Sequence, residues 1–250
     1  MPEPKAFHRH RGFTLVELAI VLVIVAFLTG GLLMGITAQR ASAENSDAQR
    51  QLDNIRDALL GFAMVNGCLP CPADPALTSA DVTTVGREDR AWPASPPPEG
   101  IPYCKHNYSC NRTLGVVPWA TLGLPETDPW GRRFTYFASS SFTAPVTTAG
   151  ALASFTLDTA GNANIKDTAV SSNNIASNVP AVVVSHGNNG AGAWQPNGAQ
   201  IAVSSADEVE NANSTVTFVS RTPGNNFDDL VTWIAPATLM AKMVAAGRLP

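Results

Sequence analysis

One stretch of 24 residues, 13–36, constrains the fold of this chain most, because it is predominantly apolar and contains a single charged residue, Glu17. An apolar helix of about 20 residues spans the ~30 Å hydrocarbon layer of a bilayer. Within the first twelve residues three basic side chains accompany a single acidic one. Basic residues hold the adjacent end of a membrane helix in the cytoplasm. The pattern therefore predicts a single membrane span, with the rest of the chain exported.

The following residues, 37–66, continue the helix but are apolar on one side only. Six apolar residues recur at helical spacing and predict a stripe that packs on a soluble domain: Ala48, Leu52, Ile55, Leu59, Phe62 and Ala63. Gly67 can take the left-handed conformation that ends a helix, and Pro70 and Pro72 prevent its continuation. We therefore expect one long helix with a membrane half, 13–36, and an amphipathic half, 37–66.

Two regions follow the long helix. Residues 67–130 are rich in Pro, Gly, Asp and Ser and predict a long loop region. Residues 131–250 predict a β-rich domain, with short strands expected at 133–138, 153–157, 181–185, 200–203 and 215–219. A hairpin turn is expected at 158–164, and a terminal helix at 236–246. The expected fold class is α+β, with the long N-terminal helix packed on a small antiparallel sheet.

The charge pattern and the histidines exclude several functions. The net charge is −4 and the pI is about 5.5, so the chain lacks the basic stripe that nucleic acid requires, and we predict no nucleic-acid partner. His106 and His186 are the only histidines past the first twelve residues, and neither lies in a zinc or nucleophile motif. We therefore predict no catalytic residue, no metal centre and no cofactor.

The segment 11–31, RGFTLVELAIVLVIVAFLTGG, resembles the N-terminal signature of type IV prepilins and type II secretion pseudopilins. The shared features are a basic leader, a glycine, an aromatic residue and a single glutamate in an apolar helix. The resemblance implies a leader of residues 1–12, cleavage between Gly12 and Phe13 by a membrane aspartyl peptidase, and N-methylation of Phe13. On this interpretation the chain is a substrate and a structural subunit, and not an enzyme.

Glu17 has two interpretations. A carboxylate inside a membrane segment is costly unless it is shallow, protonated or paired. The family resemblance implies that it pairs with the N-terminal amine of a neighbouring subunit, here the amine of Phe13, and so directs assembly. Alternatively, Glu17 lies in the first helical turn, where the helix dipole favours an acidic residue by about 0.3–1 kcal/mol.

Further features resemble the same family more weakly. Asp128, Pro129, Trp130 and Gly131 are similar to the strand entry of major pseudopilins, although a turn before an ordinary strand explains them equally. Residues 181–190 and 228–234 also resemble late strands of that family. The size of the chain resembles that of a minor subunit rather than a major one.

A metal site near the C-terminus is a further possibility that the resemblance raises. Some pseudopilins hold calcium in a C-terminal loop, where Asn225, Asn226, Asp228 and Asp229 could supply oxygen ligands. Their spacing matches no EF-hand, and we interpret them as an acidic surface turn.

The four cysteines, Cys68, Cys71, Cys104 and Cys110, would lie on the exported side, where an oxidising compartment permits disulfides. Three pairings are possible. Bonds that close loops of about 35–40 residues remove more unfolded-state entropy than local bonds, in the chain-entropy account. We therefore expect Cys68 and Cys71 to bond to Cys104 and Cys110, which would tie the loop region to the helix end.

Two alternatives remain. Cys68 and Cys71 form a C-x-x-C motif, which would suit a membrane-anchored or secreted protein with a thiol–disulfide role. Residues 41–43, Ala-Ser-Ala, could be a signal-peptidase site that releases a secreted protein, although 24 apolar residues exceed the usual length of a signal peptide's apolar region.

The resemblance implies where the chain acts and with what. The partners would be a prepilin peptidase and N-methyltransferase, other pilin or pseudopilin subunits, an assembly platform in the bacterial inner membrane, and membrane lipid. The N-terminus would be cytoplasmic and the C-terminal domain periplasmic. The expected product is a type IV pilus or a type II secretion pseudopilus.

Overall fold

The computed structural model describes residues 14–91, 103–105, 107–224 and 226–250, except that the side chains of residues 29–38 are not described. The protein is α+β, as predicted. The chain divides into two compact units, Met1–Glu44 and Asn45–Pro250. The first unit is helical from Leu15 onward, and the second contains both sheets and all four cysteines.

Five helices and seven short strands are formed by the described residues. The helices are α1 (Leu15–Asn66), α2 (Trp119–Leu122), α3 (Ser140–Thr143), α4 (Ala206–Ala212) and α5 (Pro236–Ala245), with a 3₁₀ turn at Tyr103–Lys105. The strands are β1 (Leu114–Val116), β2 (Thr135–Ala138), β3 (Ala163–Lys166), β4 (Asn174–Val179), β5 (Ala181–Ser185), β6 (Thr217–Val219) and β7 (Leu230–Ile234).

The C-terminal end of α1 is closed by hydrogen bonds from three directions. The Gly67 N–H donates to the carbonyl oxygen of Ala63 at 2.8 Å, with Gly67 in the left-handed region at a φ of +83°. The Asn66 side-chain amide donates to the carbonyl oxygen of Phe62, one turn earlier. The Arg248 guanidinium donates to the carbonyl oxygens of Met64 and Val65. These donors satisfy carbonyl groups that a helix leaves without intrahelical partners at its end.

The main core lies between the second part of α1 and a four-stranded antiparallel sheet of order β1-β2-β5-β7. All six residues that predicted an apolar stripe on this helix are buried. The opposing sheet face presents Tyr136, Ala138, Ala181, Val183 and Ile234. Helix α5 closes the core with Leu239 and Met243, which are both fully buried.

A second core lies on the other face of the same sheet. Phe137, Val182 and Val184 pack there against a three-stranded sheet of order β4-β3-β6. The rings of Phe137 and Phe218 lie 5.5 Å apart and join the two sheets. Because β2 and β5 are covered on both faces, every residue in them is buried, which explains the unbroken apolar run of β5.

Several predicted elements were wrong. Residues 153–157 form no strand, because Ser154 donates to the carbonyl of Gly67 and Phe155 packs on Phe142 with ring centroids 4.7 Å apart. The segment 200–203 is not a strand either, and only Gln200 makes a bridge, to Trp194. The expected hairpin turn at 158–164 overlaps the start of β3. Strands β1, β3 and β4 were not predicted.

Candidate functional site

The N-terminal segment begins, in the described part of the chain, with a capped helix. Gly12 and Phe13 lie outside the described residues. Thr14 precedes α1, and its Oγ1 accepts a hydrogen bond from the backbone N–H of Glu17 at 3.3 Å. Thr14 is therefore the N-cap residue of α1, and its hydroxyl oxygen satisfies the N–H of Glu17 at the N3 position, a role that the sequence interpretation missed. The exposed Glu17 carboxylate lies in the first turn, where the helix dipole favours it.

The first part of α1 presents large apolar side chains on every side. From Leu15 to Leu28 these side chains are between 48% and 86% exposed. They contrast with the stripe of the second unit, where Leu52 and Leu59 are fully buried. A helix that is apolar all round is typical of a segment covered by lipid or by other helices. Over the described residues, no helix has the combined length and apolarity needed to cross a membrane.

The four cysteines form two disulfides next to the end of α1. Cys68 is bonded to Cys104 and Cys71 to Cys110. Cys68, Cys71 and Cys104 are fully buried, whereas Cys110 is half-buried. The two cysteines of the C-x-x-C motif therefore have different partners. This arrangement is typical of structural disulfides.

A buried ion pair lies against these disulfides. The Arg90 Nε and the Glu88 Oε1 are 3.0 Å apart, and both side chains are almost fully buried. The Glu88 carboxylate accepts the N–H of Cys71 at 3.1 Å, and the Arg90 guanidinium lies 3.4 Å from the Cys68 sulfur. Arg90 also donates to the carbonyl oxygens of Tyr108 and Thr143. The pair thus holds the cysteine-bearing segments together.

Three carboxylates form an acidic cluster between α4 and the start of β7. One oxygen each of Glu208, Asp228 and Asp229 lies within 4.8 Å of the others. Asn189 donates to Asp228 from its backbone N–H and to Glu208 from its side chain, both at 2.8 Å. Asn211 donates to the Asp229 Oδ2 at 2.8 Å. The Oδ1 atoms of Asp228 and Asp229 are buried and have no hydrogen-bond partner among the described residues.

The chemistry of this cluster suits a hard cation or a proton. Burial raises the pKa of Glu208 and of Asp228, and the neighbouring carboxylates raise both further. Buried carboxylate oxygens without donors are the ligands that Ca²⁺ and Mg²⁺ prefer. The sequence interpretation identified Asp228 and Asp229 but treated them as a surface turn, whereas Asp229 is only 2% exposed.

The third carboxylate of the cluster was missed. Glu208 lies 20 residues earlier than Asp228, and no local signal links the two positions. Asn226 is exposed, and its carbonyl oxygen accepts from Ser205. Asn225 lies outside the described residues.

His186 is buried beside the cluster. Its Nε2 lies 2.8 Å from the Thr135 Oγ1, and its Nδ1 lies 3.7 Å from the Asp229 Oδ1. The order hydroxyl, imidazole and carboxylate is that of a nucleophilic triad. Thr135 is only 3% exposed, so a substrate does not reach its hydroxyl in this structure. His106, the other histidine past the leader, lies outside the described residues.

The Asp128–Gly131 segment is a turn that enters β2 through buried contacts. The Asp128 Oδ1 accepts the N–H groups of Trp130 and Arg132, and its Oδ2 accepts the Ser185 hydroxyl at 2.9 Å. Gly131 has a φ of +80°. Burial raises the pKa of Asp128. These contacts support the structural interpretation of the segment.

Comparison with known proteins identifies the N-terminal segment alone. Residues 7–33 match the model of the prokaryotic N-terminal methylation motif. No curated protein matches the chain, and no solved structure matches it. The matched residues include Gly12, Phe13 and Glu17, together with most of the apolar stretch from 13 to 36.

Proposed function

Because the chain carries the prepilin-type cleavage and methylation signal of type IV pilins and pseudopilins, we propose that it is a structural subunit assembled into a filament through its N-terminal helix. A prepilin peptidase removes residues 1–12, and Phe13 is N-methylated. Before assembly the subunit is anchored in the inner membrane, with its C-terminal domain in the periplasm. The filament is a type IV pilus or a type II secretion pseudopilus. The motif at residues 7–33 is the observation that carries this proposal.

The cleavage step depends on the residues around the scissile bond. Gly12 has no side chain, so an extended backbone fits a narrow peptidase cleft. Lys5, Arg9 and Arg11 hold this end on the cytoplasmic face. Cleavage removes these positive charges and creates a new one, the amine of Phe13.

The apolar part of α1 supports the membrane and filament steps. Full burial of a Val, Leu or Ile side chain is worth about 1.5–3 kcal/mol. For the eleven large apolar side chains from Leu15 to Leu28, about half to nine-tenths exposed, the total is on the order of 10 kcal/mol. That is comparable with the whole stability of a domain. Coverage of this surface by lipid or by neighbouring helices would therefore contribute a free energy as large as that which holds a domain folded.

Glu17 acts in the assembly step. Entry into a bundle of apolar helices takes the Phe13 amine away from water, where an uncompensated charge is costly. The carboxylate of Glu17 on a neighbouring subunit neutralises the incoming amine. The capping contact with Thr14 uses only the backbone N–H of Glu17, so it leaves this carboxylate available for the pairing.

Two matched variants separate assembly from capping. Glu17→Gln removes the charge but keeps a residue that is favoured at N3 of a capping box. Thr14→Val removes the capping oxygen but keeps the carboxylate. We expect both variants to be inserted and processed like the parent, whereas the yield of sheared filaments falls at least about tenfold for Glu17→Gln only, as for loss of an interaction of about 1.4 kcal/mol.

Mass spectrometry of the N-terminal peptide gives the processing result. A methylated Phe13 start is expected for the parent and for both variants. A mature start at Glu44 would instead support a cleaved secretory signal. If Glu17→Gln enters filaments as well as the parent, or if Thr14→Val fails equally, the helix-dipole and capping interpretation of Glu17 is preferred.

A second property, binding of a hard divalent cation, is favoured by the buried Asp229 Oδ1 without a donor. Glu208, Asp228 and Asp229 would hold the ion, which would link α4 to the start of β7. Calcium at 100 times its Kd is expected to raise the free energy of unfolding by about 2.7 kcal/mol, and chelation to reverse this. Asp229→Asn should abolish the response and the exposed control Asp81→Asn should retain it, as measured by titration calorimetry and urea unfolding.

The alternative thiol–disulfide role would require reversible exchange of a Cys68–Cys71 bond. Both sulfurs are buried and bonded to other cysteines. Rapid reduction of the folded chain by a small dithiol, followed by reoxidation to the local pair, would favour that alternative.

A further inference from the structure

The two disulfides are interleaved along the chain. In sequence order the first cysteine is bonded to the third and the second to the fourth, so the bonds span 36 and 39 residues. The local pairs, Cys68 with Cys71 and Cys104 with Cys110, are separated by only three and six residues. The native pairing therefore uses neither of the nearest partners.

Loop closure in the unfolded chain favours a local pair. The probability that two chain positions meet falls with roughly the 3/2 power of their separation. For Cys104, a partner six residues away is then met roughly 15-fold more often than one 36 residues away. An oxidant that acts before folding consequently forms local bonds first.

The direction of export adds to this preference, and this step rests on the proposed function. If the N-terminus remains cytoplasmic and the rest of the chain is translocated in order, Cys68 and Cys71 reach the oxidising compartment before Cys104. A C-x-x-C pair would at that stage have no other partner.

Native pairing depends on contacts that form only on folding. Residues 89–91 and 109–111 pair through an Arg90–Cys110 bridge, which places Cys110 near the end of α1. The buried Arg90 lies against Cys68, and Glu88 accepts the N–H of Cys71. Once Arg90 and Glu88 have packed against the cysteines in this way, three of the four cysteines are fully buried and inaccessible to a thiol.

We propose that this chain is a client of a dithiol isomerase, which converts the local pairs into the interleaved pairs before Arg90 and Glu88 pack against the cysteines. The isomerase thiolate attacks the Cys71 sulfur of the Cys68–Cys71 bond, forms a mixed disulfide and releases the Cys68 thiolate. That thiolate attacks Cys104 and releases Cys110, which attacks Cys71 and returns the isomerase thiolate. Two bonds replace two bonds, and no net oxidation occurs.

Reoxidation of the purified full-length chain in detergent tests this inference. The reduced and denatured chain is diluted with a dithiol oxidase in its disulfide form, with or without a reduced dithiol isomerase in catalytic amount, and the pairs are mapped by mass spectrometry of unreduced peptides. Without isomerase we expect local pairs in most molecules, consistent with a preference of roughly 15-fold. The isomerase should raise the native fraction several-fold.

Two double variants serve as controls, because neither has a third cysteine for exchange. Cys71→Ser with Cys110→Ser keeps only Cys68 and Cys104, and Cys68→Ser with Cys104→Ser keeps only the other native pair. Oxidation of both should be independent of isomerase. The inference is overturned if the parent reaches native pairing equally well without isomerase, or if isomerase assists the double variants as much as the parent.

The outcome is separable from that of the filament experiment. Pairing is measured on a purified chain that forms no filament, so failure here leaves the Glu17 assay unaffected. Conversely, normal assembly of Glu17→Gln would overturn the assembly role without changing the pairing result.

Discussion

Arg133 is the buried arginine whose loss we expect to destabilise the soluble domain most. Its side chain is fully buried between β2 and the loop region. Two of its nitrogens contact the Glu126 Oε1 at 2.8 and 3.0 Å, and its plane lies over Trp119 at 4.8 Å from the ring centroid. The guanidinium also donates to the carbonyl oxygens of Pro75, Leu77 and Pro196.

The decrease in the free energy of unfolding that we expect for Arg133→Met follows from these contacts. Methionine fills much of the same space, so the main change is the loss of the charge and of the hydrogen bonds that the guanidinium donates. Removal of one member of a buried ion pair costs about 3–5 kcal/mol, because the other charge stays uncompensated. Glu126 is 26% exposed and regains some water, which lowers the expected loss to about 3 kcal/mol.

Arg112 is the matched control. Its Nε lies 2.7 Å from Asp89 and its Nη2 lies 3.1 Å from Asp74, so it also holds two segments together. Its side chain is 31% exposed. Exposed pairs contribute about 0–1 kcal/mol, and Arg112→Met should lose no more than that.

Equilibrium urea unfolding of the full-length chain in detergent, with disulfides intact, measures both losses. Tryptophan fluorescence is a suitable signal because Trp119 lies beside Arg133. A large loss for Arg133→Met and a small one for Arg112→Met is expected. Equal losses, or a loss below about 1 kcal/mol at Arg133, would show that burial does not decide the strength of these pairs.

Two further predictions concern a titrating carboxyl and a tight turn. Burial raises the pKa of Asp128, so the folded chain binds a proton at this carboxyl more tightly than the unfolded chain does. The free energy of unfolding therefore falls as the pH rises from the ordinary aspartate pKa through the raised one. Asp128→Asn should make this fall in urea midpoints across the acidic range smaller, while Glu208 and Asp228, whose pKa values are also raised, continue to contribute. An unchanged slope would contradict the assignment. Gly67 and Gly131 have similar positive φ values of +83° and +80°, but only at Gly67 would an added Cβ overlap a backbone carbonyl. Gly131→Ala should cost about 1–2 kcal/mol from backbone strain and Gly67→Ala clearly more, as compared by thermal unfolding, whereas equal costs would show that the space beside Gly67 is not limiting.

The sequence predicted the elements that carry strong periodic or apolar signals. The apolar stripe of α1, the apolar run of β5 and the proline and glycine bounds of α5 all correspond to structure. Strands β3 and β4 were missed because their residues, ANIK and NIASNV, include polar and small side chains with weak strand preference. These strands exist because Ala163, Ile165 and Val179 cover the second face of the main sheet.

The candidate functional residues also divide into those with a local sequence signal and those that only the fold brings together. The methylation motif is local and contiguous, so the sequence alone indicated the segment that the motif model matches, which contains Gly12, Phe13 and Glu17. The acidic cluster joins Glu208 to Asp228 across 20 residues, and only the folded chain shows that they meet. The capping role of Thr14 had a local signal, the T-x-x-E pattern, that could have revealed it.

Arginine side chains supply hydrogen-bond donors where backbone partners are missing. Segments 67–91 and 107–130 contain few ladder hydrogen bonds, yet their buried carbonyl groups need donors. Arg133 and Arg90 donate to loop carbonyls, and Arg248 does the same for the last turn of α1. The planar guanidinium offers five donors in fixed directions, whereas a lysine ammonium is a compact point charge. Arginine can therefore satisfy several carbonyl groups from one buried position, and so supply donors that the backbone of an irregular region does not.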